Sequence, residues 1–233
     1  MGLFVTIEGI EGAGKSTIRA KIAEALISTG REIIVTREPG ATNLGQALRT
    51  ILLSNSETEI DPIAELLLFF ADRAQHLKEV IRPALSRNAI VLCDRYIHST
   101  IAYQGYGRGL PMKELLELTE FATAGVKPDL VLLLDLEVEE GLSRAEKRTR
   151  RASGTFHIDS AGQISSENMR KREIPADDSW NRFEQQQIDF HKRVRSGFLE
   201  MSKDKNNNFF VLQAIESPDK LASAAIEKIT SLL

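Results

Sequence analysis

The 233-residue sequence holds a single cysteine, Cys93, so it can form no internal disulfide and cannot supply a Cys-rich zinc site. That scarcity suits a reducing compartment, and a cytoplasmic location is expected. No apolar run approaches the ~20 residues of a membrane-spanning helix. The longest candidate, Leu66 to Ala71, is closed by Asp72 and Arg73. No basic segment precedes an apolar one at the N-terminus, so no signal peptide is expected. Met1-Gly2-Leu3-Phe4-Val5-Thr6 fits a myristoylation pattern, but the same residues suit a buried strand better. Charge of one sign is not in excess: 30 Lys and Arg against 33 Asp and Glu leave a net −3. That balance gives no global attraction to nucleic acid or to an anionic membrane, and neither is an expected partner. Any anion site must be built locally.

What is present is ordinary for a globular chain, with 42% hydrophobic and 27% charged residues. Five short, nearly continuous apolar runs (Leu3 to Ile7, Glu32 to Thr36, Ala89 to Cys93, Leu130 to Leu134, Phe209 to Leu212) have the character of strands buried on both faces. Between them lie helical spacings: Ile18, Ile22, Ala25 and Leu26; Ile63, Leu66, Leu67 and Phe70; Leu115, Leu116, Leu118 and Phe121. This alternation predicts an α/β fold, a five-stranded parallel sheet flanked by helices, in one domain spanning 1–233. Gly30 is a helix stop and Pro39-Gly40 a turn. From Lys147 to Asp178 the chain is rich in Arg, Lys, Ser, Gly and Asp and poor in large apolar residues. It suits either a solvated insertion or a mobile basic flap, and its place beside a nucleotide site favours the flap.

Gly9-Ile10-Glu11-Gly12-Ala13-Gly14-Lys15-Ser16 matches the phosphate-binding pattern G-x-x-x-x-G-K-[ST] at every fixed position, between a predicted strand and a predicted helix. Glycines let backbone N–H groups turn inward around an anion, and the helix beginning near Lys15 adds its N-terminal partial charge. Lys15 can reach β- and γ-phosphates, and the Ser16 hydroxyl can ligate Mg²⁺. No Asn-Lys-x-Asp guanine reader is present, which favours ATP.

Ligands of such sheets sit at the carboxyl ends of the strands. Those ends carry Arg37-Glu38-Pro39-Gly40 and Asp94-Arg95-Tyr96. Two arginines beside a triphosphate site suit an enzyme that joins two phosphorylated molecules, because each can clamp a phosphate. The plainer alternative is a structural ion pair such as Arg37 with Asp94. Asp94 also resembles the acid that holds Mg²⁺ opposite the loop serine. Asp135 ranks behind it and reads as a helix N-cap. Phe69 and Arg73 share a helix face, and on spacing alone Phe69 is either core or a stacking platform for a base. Tyr103 and Gln104 follow Arg95 by one to two helical turns.

Gly9 to Thr17, Thr36-Arg37-Glu38-Pro39-Gly40, Leu68-Phe69 with Arg73, and Asp94-Arg95-Tyr96 through Ala102-Tyr103-Gln104-Gly105 together resemble thymidylate kinases of the bacterial type. The resemblance runs to about Arg148 and resumes near Asn181. It implies a P-loop nucleoside monophosphate kinase fold with a lid inserted at about 147–180. It also implies a cytosolic homodimer and transfer of the γ-phosphoryl group of Mg-ATP to dTMP. By resemblance, the loop from Gly9 through Ile10, Glu11, Gly12, Ala13, Gly14, Lys15, Ser16 and Thr17 binds ATP, and Arg144 packs on adenine. Glu11 arranges the sugar and phosphate of the acceptor, Arg37 bridges the two phosphates, and Arg95 grips the acceptor phosphate. Phe69 stacks on thymine, Arg73 meets its carbonyl edge, and Thr100 and Gln104 touch the base. Tyr103 lies against the deoxyribose. Because Gly12-Ala13 lacks the basic residue found in the other branch, the lid must supply it. Arg148 is the first choice, with Arg150 or Arg151 behind, and Arg182 is expected to share the phosphate role. The corner Asn181-Arg182-Phe183-Glu184 departs from the common pattern, which has Asp first.

The acceptor phosphate, with a second pKa of about 6, needs no general base. A deoxynucleoside kinase would need one, with Glu38 as the only placed candidate, and would have no use for Arg95. A nucleotide-switched ATPase would have no use for Phe69, Arg73 and Arg95 together.

Overall fold

A computed structural model describes residues 2–54, 59–153 and 182–233, with the backbone alone over 149–153. Most of the expected lid, Asn181, and the side chains of Arg150 and Arg151 lie outside the described residues. The order is β1 (Leu3–Glu8), α1 (Lys15–Leu26), β2 (Ile33–Arg37), α2 (Asn43–Leu53), α3 (Pro62–His76), α4 (Arg82–Ser86), β3 (Ile90–Asp94), α5 (Ile97–Thr100), α6 (Met112–Thr123), β4 (Leu130–Asp135), α7 (Val138–Ser153), α8 (Ile188–Ser202), β5 (Phe209–Gln213) and α9 (Pro218–Thr230). The strands form one parallel sheet in the order β2-β3-β1-β4-β5. Each begins and ends within a residue or so of the expected run.

Alternation along the strands divides the core between the two faces of the sheet. Val5, Ile7, Ile90 and Leu92 join the larger cluster with α1, α8 and α9, while Phe4, Val91 and Cys93 pack with Leu77, Ile81 and Tyr96. The central strands β1 and β4 are buried throughout, and β3 as far as Cys93. The edge strands are not: Val35 of β2 is 48% and Val211 of β5 is 36% exposed, because an edge strand has a neighbour on one side only. Helix α1 buries Ile18, Ile22 and Leu26 as its spacing predicts. Gly30 ends the following turn at φ 71°, a left-handed conformation costly for other residues.

Two apolar faces differ from expectation. In α3, Leu66 and Phe70 are buried but Ile63 and Leu67 are exposed, while Glu65, Asp72, Arg73 and His76 are buried. In α6, Leu115 is buried, but Leu116 is exposed and Phe121 is 86% exposed. Helix α3 therefore turns a polar stripe inward, toward the carboxyl ends of the strands. Register brings those ends level: Asp94 pairs with Ile7 of β1 and with Arg37 of β2.

Candidate functional site

A cavity of about 410 Å³ opens at the carboxyl ends of β1, β2 and β3. Its wall includes Glu11, Gly12, Gly14, Lys15, Ser16 and Thr17 of the loop after β1, Arg37 at the end of β2, and Asp94 and Arg95 at the end of β3. Phe69 and Arg73 line it from α3, and Arg144 and Arg148 from α7. Thr100, Tyr103 and Gln104 line it from α5 and the π-helical turn Ile101–Gly107 that continues it. Phe183 and Glu184 complete the wall, so the structure gathers residues from sequence positions 11 to 184. Gly9, Ile10 and Ala13 do not line the cavity; Ile10 and Ala13 are buried in the core.

The loop is held by close backbone packing. A Cβ at Gly12, whose φ is 73°, would lie 2.0 Å from the Gly141 carbonyl oxygen. Gly14, also left-handed, caps α1 at Lys15. The Lys15 ammonium spans the loop, donating to the carbonyls of Gly9 at 3.0 Å and Ile10 at 2.9 Å. Burial, and then the nearby Arg95, push its pKa down to about 8.

Arg95 occupies the left-handed region at φ 67°, a conformation that costs about 1–2 kcal/mol for a residue with a side chain. Four contacts offset that strain. Its guanidinium donates to Gly9 O at 3.2 Å, Ser99 Oγ at 3.0 Å, Glu11 Oε1 at 3.0 Å and the Tyr103 hydroxyl at 3.2 Å. The Tyr103 hydroxyl in turn donates to Glu11 Oε1 at 2.6 Å. Burial alone would raise the Glu11 carboxyl, but Arg95 and Lys15 outweigh it and hold the carboxyl below its ordinary value. His191 of α8 approaches the other Glu11 oxygen at 3.7 Å. Buried Glu8 accepts from the Tyr96 backbone N–H at 2.9 Å and from Ser99, fixing the corner that carries Arg95.

Asp94 forms its ion pair with Arg19, at 3.3 Å, and not with Arg37. Arg19 lies one turn after Lys15, and the sequence reading missed it. The second Asp94 oxygen, Oδ1, is buried without a hydrogen-bond partner among the described residues. An orphaned carboxylate oxygen on the same wall as the Ser16 hydroxyl suits a divalent cation held partly through water. Among the described residues no cluster of three or more His, Cys, Asp or Glu is placed to hold a metal ion. Any cation here would thus take most of its ligands from phosphate and water. Asp135 accepts two hydrogen bonds from Arg195, at 2.7 and 3.2 Å, and lies off this cavity.

Phe69 is half-buried on the wall, 6.2 Å from the Phe183 ring, and Phe183 lies 5.7 Å from Tyr103. Arg73 is 1% exposed. It donates to Glu38 Oε2 at 2.7 Å and Tyr96 O at 3.0 Å, while its Nη1 has no hydrogen-bond partner among the described residues. Glu38 is bound on its other oxygen by His76 at 2.9 Å, and His76 meets Thr36 Oγ1 at 2.7 Å. On the α7 side Arg148 donates to Glu184 at 3.0 Å, and Arg144 to Glu140 at 2.7 Å and Ala214 O at 3.1 Å. Arg182 does not line the cavity. It is held by buried Glu65 at 2.6 Å and the Leu52 carbonyl, which removes it from the expected phosphate role.

Residues 7–172 match the family model described as thymidylate kinase. The chain is 44% identical to the thymidylate kinase of Solidesulfovibrio magneticus, over 99% of this chain and all of that one. It is 42% identical to that of Nitratidesulfovibrio vulgaris, over 99% and 97%. The crystal structure of thymidylate kinase from Ehrlichia chaffeensis superposes with a TM-score of 0.70 at 28% identity, covering 99% of this chain and all of that one.

Proposed function

The chain belongs to the thymidylate kinase family and phosphorylates dTMP to dTDP with ATP, and we propose that the cavity at the ends of β1, β2 and β3 does so by alignment and charge neutralisation. The observation that carries this reading is the convergence of Lys15, Arg37 and Arg95 on one cavity that Phe69 and Arg73 also line. Three cations from three strand ends suit two polyphosphate chains meeting end to end, and the aromatic wall suits a base.

In this reading the phosphate loop and Lys15 hold the donor. Arg95 takes the acceptor phosphate, exchanging its Glu11 contact for a doubly charged partner. Arg37 stands between the two, and Arg148 leaves Glu184 to meet the transferring group. The acceptor oxygen is already ionised near neutral pH, so alignment dominates the barrier. Ser16 and, through water, Asp94 would hold Mg²⁺, which would supply positive charge against the phosphates. Phe69 stacks on the base, Arg73 and Gln104 read its edge with Thr100, and Tyr103 covers the sugar. Arg144 packs on adenine.

Glu38 does not serve as a base for a hydroxyl acceptor, because Arg73 and His76 occupy both its oxygens. A switched ATPase leaves the base end without a purpose. We further propose one domain with 147–180 as its lid, and a cytosolic homodimer. Helices α2, α3 and α6 leave Leu44, Ile51, Ile63, Leu67, Leu116 and Phe121 exposed, an apolar surface that a second copy would cover.

An ADP-release assay across nucleoside monophosphates tests the reading. Turnover fastest with dTMP is expected. Turnover with thymidine and none with dTMP overturns it.

A further inference from the structure

Glu65 is fully buried on α3, yet it is not part of the cavity wall. Everything that meets it is a donor. Oε2 takes Arg108 Nη2 at 3.1 Å and pairs with Arg182 at 2.6 Å. Oε1 takes Arg108 Nε at 3.4 Å and the side-chain amide nitrogen of Gln104 at 2.8 Å.

A glutamine amide has two faces, an NH₂ that donates and a carbonyl that accepts, and its orientation is set by its partners. A carboxylate between two guanidiniums is an acceptor. At 2.8 Å it admits only the NH₂ of Gln104, because a carbonyl there would set two lone pairs against each other. The Gln104 carbonyl oxygen accepts no hydrogen bond among the described residues, and Gln104 lines the cavity beside Arg73. Arg73 lines the same wall, and its Nη1 is buried without a hydrogen-bond partner among the described residues. The wall therefore offers an acceptor at Gln104, with the Arg73 guanidinium behind it.

We propose that Glu65 is a specificity-determining positioning residue. By fixing the polarity of the Gln104 amide, it makes the base end accept a pyrimidine with N3–H and a neighbouring carbonyl, and reject one with a bare N3 and an amino group. Thymine and uracil carry the first edge and cytosine the second. This rests on the reading that Gln104 and Arg73 face the base. Glu65 touches no substrate and acts through Gln104. A site built to meet an N–H rejects an analogue lacking it, since the carbonyl is then left unpaired.

The test is the ratio of kcat/KM for dTMP to that for dCMP in Glu65→Gln. The variant keeps the shape but lets either face of the amide at 65 meet Gln104. The ratio is expected to fall at least about tenfold. The dTMP-to-dUMP ratio should hold, because both share the edge; a general loosening of the site would not spare it. The exchange Glu65→Gln with Gln104→Glu restores an acceptor at 104 and a donor at 65, and should recover the preference for dTMP. An unchanged dTMP-to-dCMP ratio in Glu65→Gln overturns the proposal. Gln104→Ala separates the two readings: an unchanged KM for dTMP removes Gln104 from the base and sinks the underlying reading. A raised KM with no effect of Glu65→Gln sinks this inference alone. Should the variants fail to fold, NMR on the wild-type complex decides. The Gln104 amide protons are expected to stay protected against Glu65, and contacts from them to the base overturn the proposal.

Discussion

Lys15 gives the phosphate loop a measurable proton linkage. Its ammonium is stabilised by two loop carbonyls, at 3.0 and 2.9 Å, but burial and the adjacent Arg95 lower its pKa from 10.5 to about 8. The shift is a bias of about 3 kcal/mol against the charged form. A bound triphosphate brings several negative charges to this ammonium and reverses the bias. Above pH 8 the free enzyme carries a neutral Lys15, so ATP binding must take up a proton. Below pH 7 Lys15 is charged in both states and nothing is taken up. A folded-state pKa of 8 gives uptake of about 0.9 proton at pH 9 and about 0.1 at pH 7, and ATP affinity about tenfold weaker at pH 9 than at pH 7. Calorimetry with ATP in buffers of differing ionisation enthalpy measures the uptake directly. Lys15→Met removes the titrating group while keeping an unbranched chain. Its proton uptake at pH 9 should fall to near zero. Wild-type binding at pH 9 with no uptake, or equal uptake in Lys15→Met, refutes the argument.

Arg95→Ala removes the cation that the proposed reading sets against the acceptor phosphate. A loss of about 2–5 kcal/mol in dTMP use is expected, with ATP affinity by calorimetry nearly unchanged; unaltered dTMP kinetics would remove Arg95 from that role. Arg148→Ala should lower kcat by about 10³ or more, in line with arginines that stabilise phosphoryl transfer elsewhere, while KM for both substrates changes little. A kcat within a few-fold of wild type would assign the role to another residue. Asp72 accepts from the Gly40 N–H at 3.0 Å, but burial, and then neighbouring Glu38, push its pKa up to about 6. The folded state thus holds the proton more tightly than the unfolded chain, and an ionised Asp72 is a cost that grows from about pH 4 and is complete above pH 6. Asp72→Asn should raise stability by about 1–3 kcal/mol at pH 7.5 and by nothing near pH 4, read by urea unfolding at both values. An equal gain at both would place the effect elsewhere.

The sheet was legible because its strands are continuous apolar runs, and runs of that kind admit few other placements in an α/β chain. The phosphate loop was legible because its chemistry is local, with every donor inside nine residues. Helix α3 was half legible. Counting apolar residues as buried placed Ile63 and Leu67 inward, yet both are exposed, because the helix spends its inner face on Glu65, Phe69, Arg73 and His76. Those four fall at helical spacing, so the stripe was present in the sequence but carried the wrong polarity for a core rule. Arg19 was missed although it follows Lys15 by one turn on the helix that opens the loop. The partners of Asp94 and Arg182 were not legible at all, since both are settled by tertiary packing across more than 70 positions.

One physical pattern joins these details. Four arginines of the site region each hold a carboxylate: Arg95 with Glu11 at 3.0 Å, Arg73 with Glu38 at 2.7 Å, Arg19 with Asp94 at 3.3 Å, and Arg148 with Glu184 at 3.0 Å. Cations gathered closely enough to grip two polyanions repel one another, and Arg95 adds to burial, the larger cause, in depressing the pKa of Lys15. Pairing each arginine with an acid makes the cluster tolerable in a chain whose net charge is −3. The pairs are unequal in exposure. The side chains of Arg73 and Glu38 are each 2% exposed, so separating them would strand two buried charges, and the pair is fixed. The Arg148 side chain is 39% exposed against 1% for Glu184, so the proposed movement of Arg148 costs that arginine little desolvation but leaves Glu184 a buried carboxylate whose charge another group must meet. Burial thus distinguishes the arginine proposed to move from the arginine proposed to read the base.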